Sequence, residues 1–247
     1  MSFPLFEQPV SSRHDGIPIH LIGRSVLPSD ALRKAGKSTG SMGGTMLSGL
    51  EFREFGYDSD IEGQWVLQKM QDPAVARVEG QCVRTSYFDA NGVKCTTVWD
   101  LLVTGIDGSR ELVSVKKLEV AMKEQFRANW KRICAGVEPG VADSAHVATE
   151  YNLDRVKVDR GGLFNKALAG GQPKYAKRAF EFIAAQAEPI TIAAACDFLR
   201  TQFPVPDDQH FVALSQEFWT VIWLLAKRAI ETCTHSFLTM QSQVVLS

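Results

Sequence analysis

The sequence predicts an α+β protein: an antiparallel meander of strands flanked by two helices, followed by a smaller helical module. Three observations carry this prediction. Ile61, Trp65, Val66 and Met70 recur at helical spacing over 59–70. Three strand-like runs follow at 76–88, 93–104 and 111–116, divided by the hairpin pairs Asn91-Gly92 and Asp107-Gly108. Helical periodicity then returns over 120–135 and dominates the chain from residue 173 onward.

Composition narrows the functional classes. The 247 residues are 45% hydrophobic and 22% charged with a formal net charge of −1, enough to bury a sizeable core in one large or two smaller domains. No apolar run reaches membrane-helix length, and MSFPLFEQPV lacks the basic and apolar regions of a secretory signal. Five scattered cysteines without a CxxC pair point to reduced thiols and a cytoplasmic protein.

Taken in order, residues 1–50 read as a flexible, mildly basic arm rich in Gly, Ser and Pro. GKST at 36–39 lacks the upstream glycine and leading strand of a phosphate-binding loop. The first helix has a capping signal in Ser59 and Glu62, and Asp72-Pro73 stops it. In the hairpin around Asp107-Gly108, strand alternation puts Leu112, Ser114 and Lys116 on one face and Val113 and Val115 on the other. The helix over 120–135 carries Phe126, Trp130 and Ile133 on one face and Lys123, Arg127 and Lys131 along its flank. Glu138 to Gly140 marks the end of this first domain, 51–138.

The segment 139–178 reads as a basic connector punctuated by Gly161-Gly162 and Gly170-Gly171. Arg155, Lys157, Arg160, Lys174, Lys177 and Arg178, together with Lys117 of the first domain, form the candidate DNA-phosphate contacts. A solvated linker explains the same charges equally well. Residues 179–247 read as three helices and a short final strand, a helical or winged-helix module whose Phe218, Trp219 and Trp223 belong to a core.

Chemistry concentrates in the first domain. Asp100 lies beside Trp99, Leu101 and Leu102 on one strand, and Lys116 lies on the next. Burying such an acid and a lysine is costly unless they pair or bind a metal. Glu62 and Asp100, with the Val115 carbonyl, offer hard oxygen ligands for Mg²⁺, and Lys116 offers a positive group beside them. The plain alternatives are a capping glutamate and a buried Asp100–Lys116 ion pair.

The segment YDSDIEGQWVLQKMQDPAVARVEGQ, followed by VWDLLV and LVSVKK, resembles the N-terminal catalytic domain of TnsA-like transposon endonucleases. These belong to the restriction-endonuclease-like PD-(D/E)xK nucleases. Glu62, Asp72-Pro73, Gln81, Asp100 and Lys116 match the family pattern in order, over about residues 50 to 135. The resemblance implies a restriction-endonuclease-like domain and hydrolysis of DNA with Mg²⁺, or Mn²⁺ as substitute. Glu62, Asp100 and Lys116 would be the catalytic residues, with Gln81 and Ser114 as supporting ones. It further implies double-stranded transposon ends cut on their 5′ side, a TnsB-like DDE transposase as partner, and a TnsC-like ATPase contacting the C-terminal region. Two departures stand out: Trp99 occupies the position of the family's proline, and Ser114 that of its Glu or Gln. Ser114 keeps a non-catalytic DNA-binding or assembly subunit in view, beside a stand-alone restriction or repair nuclease.

Overall fold

The computed structural model describes residues 29, 31–32, 43–48, 50, 53–202 and 216–247. Most of the expected arm, including GKST, lies outside the described residues. The protein is a mixed α+β chain in two compact units that divide after Gly161. Among the described residues, no helix is long and apolar enough to cross a membrane.

The first unit is built on a four-stranded sheet of β3 (Val75–Gly80), β6 (Leu101–Gly105), β7 (Arg110–Val115) and β8 (Ser144–Ala148), in that order. The first three strands are antiparallel, whereas β8 lies parallel to β7. The parallel step requires a crossover, supplied here by α2 (Leu118–Ala121) and α3 (Glu124–Ala135). Because both faces of the sheet are covered, Leu112 and Val113 are both fully buried on adjacent positions of β7. On one face α1 (Asp60–Met70) sets Trp65, Val66 and Met70 against Val78, Leu101, Val103, Val113 and Val115. On the other, α3 sets Ile133 and Trp130 against Trp99, Leu102 and Leu112.

Several expectations are corrected here. The arm is not featureless to its end, since β1 (Gly44–Ser48) pairs with β2 (Arg53–Tyr57). The single helix expected over 120–135 is two, broken where Lys123 turns extended (ψ 132°) to begin α3. Neither hairpin has a two-residue turn. At both, an amide bond from glycine back three residues (Gly92 to Asp89, Gly108 to Gly105) is followed by a left-handed glycine, Gly92 at φ 74° and Gly108 at φ 84°. This is the three-residue loop with a glycine bulge.

The boundary expected at 138 falls inside the first unit, because β8 completes its sheet. The expected connector is likewise regular structure. Asp154 caps α4 (Arg155–Ala169) through the Val156 amide at 2.9 Å, and its own amide donates to Gln68 Oε1 at 2.7 Å. Gly161 is not punctuation: a Cβ there would overlap the backbone carbonyl of Leu67 on α1. Tertiary packing has overridden helix propensity at this position.

The second unit holds α5 (Ala176–Ala184), β9 (Ile190–Thr191), α6 (Ile192–Gln202), α7 (Gln216–Ala226), β10 (Ile230–Thr232) and β11 (Gln243–Leu246). Its strands form an antiparallel sheet with β11 in the middle. On α5, Ala176, Ala179, Phe180 and Ile183 form one buried stripe at i, i+3, i+4 and i+7. Helix α7 is buried at Phe218 and from Thr220 to Leu225, so it is a core element, as expected of Phe218 and Trp223. Trp219 is only half-buried, with Lys166 Nζ 4.9 Å from its ring centre.

Gly161→Ala provides a signed test of the packing. Helix propensity alone would stabilise the variant by about 1 kcal/mol. The overlap with Leu67 instead predicts a loss of about 1–3 kcal/mol, read from urea-unfolding midpoints at constant slope.

Candidate active site

The site lies where a long hairpin bends. β3 continues toward β4 (Arg84–Phe88), and β5 (Lys94–Val98) returns toward β6, but β4 and β5 form a sheet of their own. At the bend Gln81 takes φ 52°, a left-handed value uncommon outside glycine. Its amide donates to the Asp100 carbonyl at 3.0 Å, and the Trp99 amide donates to the Val83 carbonyl at 2.9 Å. Trp99, 2% exposed, locks the bend by donating from Nε1 to Thr85 Oγ1 at 2.8 Å and packing edge-on against Trp130. Trp99, where the resemblance expects a proline, is thus a buried anchor.

Because β6 begins at Leu101, opposite Val113, no strand residue lies across from Val115 on that side. The Asp100 carboxylate fills the gap: Oδ2 accepts the Val115 amide at 2.7 Å. The same oxygen accepts Lys116 Nζ at 2.8 Å and the Ser114 hydroxyl at 3.3 Å. Lys116 Nζ also donates to the Val115 carbonyl at 2.9 Å. The ion pair, the plain alternative to a metal site, is therefore formed, its acid side chain 6% exposed and its lysine 32% exposed.

Glu62 approaches the same locus from the first turn of α1 and is 6% exposed. Its Oε1 accepts the Ser59 hydroxyl at 3.0 Å, while Ser59 Oγ accepts the Glu62 amide at 3.3 Å. The reciprocal capping bond returns to the amide of Asp58 at 3.0 Å, one residue earlier than the expected Ser59 amide. Capping and proximity to Asp100 coexist. Burial pushes the Glu62 carboxyl up from its ordinary value, and the Asp100 charge adds to the rise. A buried Glu62 carboxyl raised by the neighbouring Asp100 charge is a place where a cation would relieve the charge.

The remaining expected site residues divide. Gln81 is 1% exposed and bonded to Asp100 through the backbone, so it shapes the bend. Lys117 is exposed at the start of α2. Arg155, Lys157 and Lys174 are exposed. Arg160 is a correction: it is 9% exposed, and burial lowers its guanidinium pKa against the opposing charge of Asp154, so it does not present a surface phosphate contact. Lys177 and Arg178 face Glu181 at 3.9 and 3.3 Å, which reduces their net charge as a patch.

One polar network escaped the sequence reading. Glu111 on β7 accepts Lys69 Nζ from α1 at 2.9 Å and meets His146 Nδ1 from β8 at 2.8 Å. The bond to His146, then Lys69, hold its carboxyl down to about 2. The lysine and glutamate were visible, but His146 fell in the supposed connector and nothing local linked it to them.

Among the described residues, no group of three or more His, Cys, Asp or Glu side chains is placed to hold a metal. Glu62, Asp100 and the Val115 carbonyl offer two carboxylates and a carbonyl. That set suits Mg²⁺, which binds through one or two carboxylates and retains several waters. No family model matches the chain, and no curated protein matches it.

The raised Glu62 pKa fixes the sign of a pH effect. Between the unfolded and folded values the native state holds more protons, so stability falls as pH rises through that interval. Unfolding measured in chelator should show wild type losing stability relative to Glu62→Gln as pH climbs above 4.5. A flat difference would contradict the buried like-charge pair.

Proposed function

We propose that this chain is a metal-dependent DNA endonuclease, the subunit of a heteromeric transposase that cuts the 5′ ends of the transposon. The observation that carries the reading is the pairing of Asp100, at the bend before β6, with Lys116, just past the end of β7, with Glu62 of α1 near enough to feel the Asp100 charge. The helix, meander, helix and parallel strand of the first unit support a restriction-endonuclease-like domain. Three helices with a three-stranded sheet support a winged-helix reading of the second.

Glu62, Asp100 and the Val115 carbonyl are the groups that would hold Mg²⁺, with Mn²⁺ as substitute. When bound, the ion supplies Lewis-acid activation of water and neutralisation of phosphate charge. Lys116 places its ammonium beside Asp100 Oδ2 and the Val115 carbonyl, suited to orienting water or countering charge on the scissile phosphate. Ser114 adds a hydroxyl bond to Asp100 but no negative charge, leaving the anionic share of the site to Glu62 and Asp100.

The partners follow from the same reading: duplex transposon ends, a TnsB-like DDE transposase and a TnsC-like ATPase, in a cytoplasmic assembly. Because α7 is buried, the second unit does not offer that helix to DNA. One observation favours a second reading, a non-catalytic assembly subunit: Asp100 Oδ2 already accepts three donors.

Cutting separates the two. With Mg²⁺ and transposon-end DNA, alone or with the transposase partner, wild type should nick. Asp100→Ala and Lys116→Ala should each reduce nicking about a hundredfold or more. Undiminished cutting by both variants would contradict the site, and no cutting by wild type with all partners present would favour the assembly subunit.

A further inference from the structure

We infer that the β4–β5 ribbon is a DNA-groove contact of the first unit, a role that rests on reading its site as a DNA nuclease. Cross-strand pairing sets Arg84 opposite Val98, Ser86 opposite Thr96, and Phe88 opposite Lys94. Strand alternation puts these six residues on one face, and all but half-buried Val98 are exposed, Phe88 at 61%. The other face turns inward: Thr85 is buried under Trp99, and Tyr87 packs with the Trp99–Leu112 cluster. The ribbon is thus anchored on one side and bare on the other.

The bare face has a definite chemistry. It carries two cations, two hydroxyls and an aromatic ring, and no carboxylate. Neither Arg84 nor Lys94 forms an ion pair among the described residues. The adjoining acid Asp89 is engaged in the turn, where Oδ1 accepts the amides of Asn91 and Val93 at 2.8 and 2.9 Å. A face of this kind fits an anionic partner and disfavours a basic protein surface.

Shape selects duplex DNA among polyanions. Two strands spaced about 4.8 Å apart and five residues long form a slab about 17 Å in length. The major groove of B-DNA, about 12 Å wide, admits a two-stranded ribbon, whereas the deep, narrow major groove of RNA does not. The ribbon also springs from the bend that holds Asp100, with Val98 only two residues away, so a duplex gripped by it is held next to the candidate centre. Arg84 and Lys94 would meet phosphates, and Ser86 and Thr96 would meet base edges or sugars.

The test is binding of the full chain to a fluorescent duplex carrying the transposon end, titrated in chelator at several salt concentrations, so that no cutting is required. Wild type should bind the duplex saturably under these conditions. Arg84→Ala/Lys94→Ala should bind about tenfold or more weaker at low salt, and its log–log salt slope should be shallower by about 1.8, the release expected for two phosphate contacts. Unchanged melting temperature in the double variant establishes that folding is intact, and Arg84→Lys/Lys94→Arg should restore the slope. Wild-type affinity and slope in the Ala double variant would overturn the ribbon while leaving the nuclease reading to the cutting assay. Ribbon-dependent binding of single-stranded RNA with none of duplex DNA would overturn it as well.

Discussion

A single carboxylate holds the first unit's hairpin in its bent form. Where β6 stops short of Val115, the Asp100 side chain replaces the missing strand by accepting the Val115 amide, and its one oxygen also gathers Lys116 and Ser114. A buried carboxylate with charge-assisted bonds is stable only while those donors stay in place. The bend at Gln81, the Trp99 anchor and the divergence of the β4–β5 ribbon all accompany this substitution of side chain for backbone. The residue that completes the sheet is also the residue that would hold the metal.

That double duty explains the electrostatics nearby. Glu62 caps α1 and is buried close enough to Asp100 for the second charge to oppose its ionisation. Lys116 partly offsets the excess by bridging Asp100 and the Val115 carbonyl. A divalent ion bound by Glu62, Asp100 and that carbonyl would compete with the ammonium for two of its contacts, so the lysine and the ion would act as alternative or shared counter-charges. The serine at position 114 lowers the negative charge available to both.

Much of this was legible in the sequence because it depends on local rules. Ser59 and Glu62 announce a helix start, Gly92 and Gly108 mark the hairpin loops, and alternation correctly aligns Ser114 on β7 with Lys116 just beyond its end. What was not legible depends on contacts distant in the chain. Two continuous strand-like runs give no local sign that they split at Gln81 and Asp100, since the split requires the mismatch with β7. β8 looked like linker because its short run SAHVA acquires strand character only beside β7. Gly161 looked like a breaker because the close approach of Leu67 lies almost a hundred residues upstream. The break before Lys123 has no evident sequence cause, since VAMKEQ consists largely of helix formers.

The central claim is that the buried carboxylates at the bend form a divalent-cation site, and calorimetric titration with Mn²⁺ tests it most directly. The account predicts saturable binding to wild type that weakens by at least about tenfold in Asp100→Asn, with both proteins folded. Absence of Mn²⁺ binding by wild type, even with duplex DNA present, or equal binding by Asp100→Asn, would contradict it.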